Sequence, residues 1–327
     1  MTGVTSTTTT LTGRDKREHV LIRLGYRRMF HRIKPGLYSV GNPSPESPVL
    51  VTANFTLSFD ALRTSLGGVD AYILVLDTKG VNVWCAAGKG TFGTDEVVRS
   101  VEASGLKDVV THRKLVLPQL GAPGVAAHEV KKRTGFAVHY GPVRASDVRE
   151  YLRLGKATDE MRRVRFPPKD RAVLIPVEMK NYMWPSLAIA VASLLLGGWL
   201  ALTAVVVAFL TGTTLFPLLL PHLPTKHFTS KGMTLGLLVS LPFAVLVSYL
   251  GGFSGSLGTL SALAGVIVLM PPVVGYMGLN WTGCSTYSSR TGVKKEIFRF
   301  VPVIVVLMVA GLILLAISGI GQLAGWF

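Results

Sequence analysis

The sequence predicts an α/β domain followed by an all-α transmembrane domain of five helices. Three observations predict it. The chain carries a formal charge of +16, yet 49% of its 327 residues are hydrophobic; a soluble chain this basic is rarely this apolar. From Trp184 onward the charged residues are Lys226, Lys231, Arg290, Lys294, Lys295, Glu296 and Arg299 alone, so long runs carry no charge, as in membrane helices. Before Trp184, short β-branched apolar runs alternate with capped helical stretches. That pattern implies a mostly parallel sheet covered on both faces. The chain therefore divides into an N-terminal tail and basic segment (1–35), an α/β domain (36–165), a juxtamembrane segment (166–183) and a transmembrane domain (184–327). Disorder, a disulfide scaffold and a wholly soluble enzyme are excluded. Membrane topology explains much of the basicity, so no nucleic-acid partner is expected.

The elements follow in order. Met1–Gly13 is Thr-rich without an apolar core, neither signal peptide nor anchor, which keeps the first domain in the cytoplasm. Val4–Thr12 is expected to be disordered. Arg14–Lys34 interleaves basic residues with Val20, Leu21, Leu24, Tyr26, Met29 and Phe30. It reads as a short helix on the sheet or on anionic lipid, with a solvated edge helix as the plainer alternative. Ser47–Ala53 reads as a buried strand, Ser58–Leu66 as a helix and Ala71–Asp77 as a second strand. Thr94 caps a helix with Asp95 and Glu96 at its positive end. Val109–Leu117 reads as one or two strands around His112, Val125–Thr134 as a helix and Phe136–His139 as a strand. Ser146 caps a helix to Leu154, and Ala172–Glu178 reads as a last strand. Ligands in such folds bind beyond the strand carboxyl ends. Four loops are expected there: Thr52–Asn54, Lys79–Gly93, Leu117–Gly124 and Tyr140–Val143.

In the membrane half, apolar runs cover Trp184–Leu220, Met233–Gly252, Leu257–Leu279 and Phe300–Leu323. The last three each fit one span of about 20 residues. The first is long enough for one tilted helix or for two short ones hinged near Gly197-Gly198. Positive loops stay inside, and only the hairpin puts every basic segment on one side. Hence five spans, a multi-pass protein of the cytoplasmic membrane, with its C-terminus outside. No charge falls mid-span, which favours an anchor over a transporter. The prolines Pro217, Pro221, Pro242, Pro271 and Pro272 leave a passage for a neutral or soft ligand open.

Residues 79–96 read KGVNVWCAAGKGTFGTDE. Lys89 among glycines suggests a phosphate loop, but the GxxxxGK[ST] spacing is not met. GxGxxG after a strand, HExxH, paired zinc cysteines and GxSxG are also missing. What remains is Cys85 after Trp84, followed by Ala86, Ala87 and Gly88. Small residues let a planar object approach the backbone, and cysteine sulfur is a soft metal ligand. By composition alone, an inert buried cysteine is the commoner case.

The octapeptide Asn82–Lys89 resembles the cap-helix signature of the HgcA family, the membrane-anchored corrinoid proteins of microbial mercury methylation. PVLVTANF (Pro48–Phe55), ILVLDTKG (Ile73–Gly80), LPQLGAPGVAAHEVKK (Leu117–Lys132) and YGPVRA (Tyr140–Ala145) extend the resemblance over most of residues 36–165. These blocks are also similar to the corrinoid domain of corrinoid iron–sulfur proteins. The resemblance implies a Rossmann-like corrinoid-binding domain holding base-off cobalamin, with Cys85 as the cobalt ligand and catalytic residue. It implies transfer of a methyl group from methylcobalamin to Hg(II), forming methylmercury. Asn82, Trp84, Ala86, Ala87, Gly88 and Lys89 would shape the helix under the corrin ring. Thr52, Asn54, His112, the loop Gln119, Leu120, Gly121, Ala122, Pro123 and Gly124, and Tyr140, Gly141 and Pro142 would touch the corrin side chains or the nucleotide tail. Two cysteines cannot hold an iron–sulfur cluster on this chain. A ferredoxin-like iron–sulfur partner of the HgcB type is therefore implied, with a methyl donor system and membrane lipid as further partners. The alternatives are a cobalamin-binding or transport module without methyl transfer, and a methyl carrier of carbon metabolism.

Other residues attract sharper readings, and the plain ones are preferred. His128-Glu129 is a pair of diverging helix residues rather than a catalytic dyad. His222 and His227 are loop residues rather than metal ligands, and Cys284 is incidental rather than a relay thiol. Lys131, Lys132 and Arg133 form a solvated helix end rather than a partner patch.

Overall fold

A computed structural model describes residues 3–251, 257–283 and 290–324. The chain forms two compact units, Met1–Arg165 and Phe166–Phe327.

The first unit is built on a six-stranded sheet of order β1-β2-β4-β3-β5-β6. The strands are β1 (Thr5–Thr7), β2 (Gly36–Val40), β3 (Val49–Ala53), β4 (Ala71–Leu76), β5 (Lys114–Leu117) and β6 (Ala137–Tyr140). All described pairings are parallel except β2–β4, so the sheet is mixed. β3 and β4 are buried at every residue, which is why their sequences are continuously apolar rather than alternating. Two cores line the two faces. One gathers Val49, Val51, Ala53, Leu74 and Leu76 with the helices α3 (Val83–Lys89), α4 (Thr94–Ala103) and α6 (Ala127–Thr134). The other gathers Leu50, Ile73 and Val75 with α2 (Thr56–Ser65) and α7 (Val148–Leu154). Two short helices, α5 (Leu106–Val109) and α8 (Asp159–Arg162), complete the unit.

Several expectations are corrected here. Val4–Thr12 is not disordered: Thr5–Thr7 pairs with Tyr38–Val40 as an edge strand, which suits β-branched threonine. The segment from Val109 to Leu117 forms one strand, β5, after the helix α5. The helix expected to start at Ser58 begins at Thr56, and the one expected at Ser146 is a 3-10 turn (Ala145–Asp147) running into α7. Ala172–Glu178 is not a strand. It joins α9 (Pro168–Ala172) to the start of α10 (Ile175–Leu210). Proline sits in the first turn of both helices, where its missing N–H is not needed. A short apolar run alone does not separate strand from buried helix.

The N-terminal basic segment is helical over Gly13–Arg23 (α1) and is clasped to α2. Arg63 is 6% exposed. Its Nε donates to Asp60 at 2.6 Å, its Nη2 to Asp15 at 3.0 Å, and its Nη1 to the carbonyls of Thr8 and Thr10 at 2.7 and 2.9 Å. Asp60, 2% exposed, also meets His19 Nε2 at 2.6 Å. This one guanidinium, with the β1–β2 pairing, explains how a Thr-rich tail without an apolar core is held in place.

In the second unit, α10, α11 (Phe216–Leu219), α12 (Phe228–Gly251), α13 (Leu257–Trp281) and α14 (Arg290–Leu323) carry the apolar runs. Four helical stretches are long and apolar enough to cross a membrane: Pro168–Leu219, Phe228–Leu246, Leu257–Trp281 and Thr291–Gly321. The first, of 52 residues, is interrupted at Gly198, with φ 67° and ψ −164°. A straight helix of that length would run about 80 Å at 1.5 Å per residue, well beyond a hydrocarbon core of about 30 Å. The break falls where the hairpin hinge was expected. The described residues thus hold four long apolar stretches, the first of them broken at Gly198. Glu296, the one acidic residue after Trp184, is 5% exposed and accepts from the backbone N–H and hydroxyl of Thr229, in the first turn of α12. His227 is drawn into the same corner. Its Nδ1 lies 3.9 Å from Glu296, and its ring packs on Phe300 at 5.3 Å.

Replacing Arg63 with Met should free the N-terminal segment. Breaking a buried charge network costs about 3–5 kcal/mol, so limited proteolysis should nick residues 5–34 in the variant and spare them in the wild type. The hydrogen bond from the Thr12 backbone, with the Thr12 side chain and Arg63, holds the Asp15 carboxyl below the usual carboxylate range. Stability from a depressed carboxylate is full above its unfolded value, about 3.9, and is lost as pH falls through the lower folded value. The wild type should therefore become as easily nicked as the variant only in that acid range.

Candidate cofactor-binding site

The site is assembled at the carboxyl ends of β3, β4, β5 and β6. It begins with one buried side chain. Asn54, 2% exposed, follows β3. Its Oδ1 accepts from the Thr78 N–H at 3.1 Å, the Thr78 hydroxyl at 2.9 Å and the Gly80 N–H at 3.0 Å. Its Nδ2 donates to Asp77 at 3.0 Å. The Asp77 N–H donates in turn to Glu96 at 2.8 Å. The turn after β4 is thereby fixed in a conformation that puts Lys79 at φ 58° and Gly80 at φ 76°. A Cβ at Gly80 would lie 2.5 Å from the Met29 carbonyl oxygen, so glycine is required there twice over.

This turn delivers α3. Asn82 caps it, its Oδ1 accepting from the Cys85 N–H at 2.9 Å. Gly90, at φ 84°, ends it. Val83, Ala86 and Ala87 are buried against the sheet core. Trp84 and Cys85 are half-buried, and Gly88 and Lys89 are exposed. The helical period therefore splits the octapeptide into an inward face of small residues and an outward face carrying the sulfur. On that outward face, Gly88 lies three residues after Cys85, with nothing within 4 Å of where its Cβ would stand. The result is an open, side-chain-free patch beside the thiol.

The loop Gln119–Gly124, a 3-10 stretch, supports α3 from beneath. Phe92, fully buried, is the spacer between them. A Cβ on Gly121 would come within 2.6 Å of the Phe92 ring. One on Gly124 would come within 2.3 Å of the Phe92 carbonyl oxygen and 3.0 Å of Ala87 Cα. Leu120 packs on the core beside it, while Ala122 and Pro123 complete the same turn. From the neighbouring strand end, the Tyr140 hydroxyl donates to the Val125 carbonyl at 2.6 Å, and burial pushes the phenol's pKa up. The Gly141 N–H donates to Leu117 at 2.8 Å, and the Pro142 carbonyl accepts from the Gln119 N–H at 3.3 Å.

Two expected contacts are corrected. Thr52 alternates with Val51 and Ala53 on β3, so it faces the core of α2 and α7, across the sheet from Cys85. His112 precedes β5, at the amino end of the strands; its Nε2 meets the Ser47 carbonyl at 2.8 Å and its Nδ1 accepts from the Lys114 N–H at 3.2 Å. Both of its ring nitrogens are thus engaged by backbone groups. The other expected loops converge. Sequence reasoning missed Phe92, Asp77, Glu96 and Thr91. Only the position of Phe92, between the glycines Gly90 and Gly93, marked it in the sequence.

Two polar atoms here fit a bound cofactor. Thr91 Oγ1 and Gln119 Oε1 are buried without a hydrogen-bond partner, a state that ordinarily costs about 1–3 kcal/mol each. A flat ligand rimmed with amide groups would satisfy them. Together with an outward soft donor and the bare patch at Gly88, they suit a planar, metal-bearing group. Among the described residues no three His, Cys, Asp or Glu side chains gather to hold a metal on their own. His128 and Glu129 are an exposed pair on α6, and Arg133 is engaged with Asp95 at 2.6 Å. Cys284 lies outside the described residues.

Comparison with known proteins places this arrangement. Residues 27–152 match the family profile described as CO dehydrogenase/acetyl-CoA synthase delta subunit. The acetyl-CoA decarbonylase/synthase complex subunit gamma of Methanopyrus kandleri is 36% identical over 122 residues, which are 37% of this chain and 26% of that one. The subunit gamma of Archaeoglobus fulgidus is 32% identical over 123 residues, 37% of this chain and 26% of that one. The subunit gamma 1 of Methanosarcina mazei is 41% identical over 111 residues, 33% and 23% respectively. The chain thus spans about a quarter of the length of the curated relatives it matches. Its first unit is similar to that subunit family from the basic segment to α7, and its apolar second unit lies outside the match.

Proposed function

We propose that this chain is a membrane-anchored corrinoid protein of methyl transfer. The observation that carries the reading is the outward Cys85 on a short helix whose inner face is packed to the core, beside the bare Gly88 patch. A corrinoid, when bound, supplies a metal that carries a methyl group and passes it to an acceptor. The residues of this chain do the holding. Cys85 offers cobalt a soft sulfur donor. Asn82 fixes the Cys85 backbone, and Ala86 and Ala87 set the depth of the helix. Trp84 shields the thiol's flank, Thr91 and Gln119 bind peripheral amides, and Lys89 reaches toward a phosphate. Asn54 acts one step back, by holding the turn that positions α3. The Gln119–Gly124 loop and Tyr140–Pro142 hold that helix from behind.

The acceptor we propose is Hg(II). Support comes from the Asn82–Lys89 octapeptide, from a sulfur donor suited to soft chemistry, and from the apolar half that follows the matched region. A second reading has its own observation. The comparisons on their own favour a methyl carrier of carbon metabolism over mercury methylation, since the relatives are named as subunits of an acetyl-CoA decarbonylase/synthase complex. With two cysteines the chain has no thiolate set for a cluster, so a ferredoxin-like electron donor is proposed as partner. We further propose five spans, a cytoplasmic first unit and an external C-terminus.

Four experiments bear on this. Loaded with cobalamin, wild type and Cys85→Ala should differ in their oxidised absorption spectra; identical spectra would remove sulfur ligation. In cells that hold the electron donor, the same variant should lose mercury methylation by at least an order of magnitude. Methyl transfer to a carbon acceptor with none to Hg(II) would establish the second reading instead. Gly124→Val should lower the cobalamin retained per protein several-fold without altering the spectrum of what is bound, because the new side chain meets the Phe92 carbonyl. Finally, a cysteine at Trp199 in a cysteine-free chain should react with an impermeant thiol reagent from outside the cell. Labelling only after lysis would reduce the spans to four.

A further inference from the structure

The first unit has a face that methyl transfer does not use. On α1, Lys16, Arg17, Val20, Arg23 and Leu24 are all exposed and recur at the three- and four-residue spacing of one helix side. The chain beyond α1 continues that surface. Tyr26 is 52% exposed, Met29 42% and Phe30 77%, beside Val20 at 56% and Leu24 at 51%. Five large apolar side chains open to solvent within eleven residues are more than chance scatter. The surface is also of one sign. Its two acids are turned inward, Asp15 onto Arg63 at 3.0 Å and Glu18 onto His31 at 2.9 Å.

We propose that this face docks on anionic phospholipid headgroups. Leu24 and Phe30 enter the interfacial layer, and Lys16, Arg17 and Arg23 pair with lipid phosphates. Two arguments select lipid over an acidic protein. Cationic side chains of α1 and the large apolar side chains that follow it share one exposed surface, and lipid phosphates with the apolar layer beneath them answer both kinds. The same chain also carries helices long and apolar enough to cross a membrane, so a bilayer is present at high effective concentration. The proposal rests on that membrane reading and not on the cofactor.

The face is rigidly connected to the site. The Ile33 N–H donates to the Asn54 carbonyl at 2.8 Å. Arg32 bridges to Phe55, and its Nε donates to the Met29 carbonyl that abuts Gly80. Docking would therefore fix which way the strand carboxyl ends, and α3 with them, are presented relative to the lipid surface.

The test uses the full chain in nanodiscs of phosphatidylcholine alone, or of an equal mixture with phosphatidylglycerol. A spin label is placed at Phe30→Cys, with Cys85→Ser and Cys284→Ser to remove other thiols. In the anionic discs, access to oxygen relative to a water-soluble nickel reagent should rise several-fold. The charge-reversed Arg17→Glu, Arg23→Glu form should abolish the rise, and a label at the exposed Lys156→Cys should not respond. Full nickel access in both discs, as at the Lys156→Cys label, would overturn the docking. Equal shielding in both would overturn the anionic headgroup assignment, leaving plain apolar insertion. Loss of membrane insertion of the chain altogether, seen by flotation, would instead remove the membrane reading beneath both.

Discussion

The first unit turns on one buried amide. Asn54 ends β3, and its side chain closes four hydrogen bonds onto the turn that leaves β4. An apolar residue at that position would leave the Gly80 N–H buried without its acceptor and the Thr78 N–H with the Leu76 carbonyl alone. The turn would lose the left-handed pair at Lys79 and Gly80, and α3 would lose its starting direction. The outward placement of Cys85 is thus set less by the helix itself than by a side chain on the neighbouring strand. The backbone of the same residue also receives Ile33, so the basic segment, the sheet and the thiol-bearing helix share one fixed point.

Glycines carry the second level of organisation. At Gly124 the chain passes so close to Phe92 and Ala87 that no side chain fits. The loop and the helix are therefore packed backbone to backbone. Such contacts have few ways to relax, which is how a short helix of seven residues keeps a defined orientation without many side-chain anchors.

What the sequence disclosed follows from the physics of each element. β3 and β4 were legible because strands buried on both faces read as unbroken apolar runs. In the sequence α3 reads as part of the loop Lys79–Gly93 and is marked as a helix only by the resemblance of Asn82–Lys89, although its cap, small residues and closing glycine lie within nine residues. β1 was hidden, since its order comes from pairing with β2 and from the distant Arg63, neither of which a Thr-rich stretch announces. The order of loops along the chain also misled. It placed Thr52 and His112 near the site, although strand alternation turns Thr52 to the other face and strand direction puts His112 at the other end. Asn54 was expected as a cofactor contact by its loop position, and its saturated hydrogen bonds give it a holding role that position alone could not disclose. In the apolar half, composition located the helices, whereas the interruption at Gly198 was suggested only by paired glycines and by charge.

The corner at Glu296 bears on how the protein is made. The Thr229 amide, at the head of α12, finds its acceptor 67 residues later in the chain. While α12 is being synthesised that acceptor does not yet exist, and water or a transient neighbour must serve. The helix end becomes fully paired only when α14 emerges from the ribosome. Completion of α14 is therefore the event that pairs this amide, and a chain truncated before Glu296 should present to the cell's quality control an apolar helical unit with that N–H open.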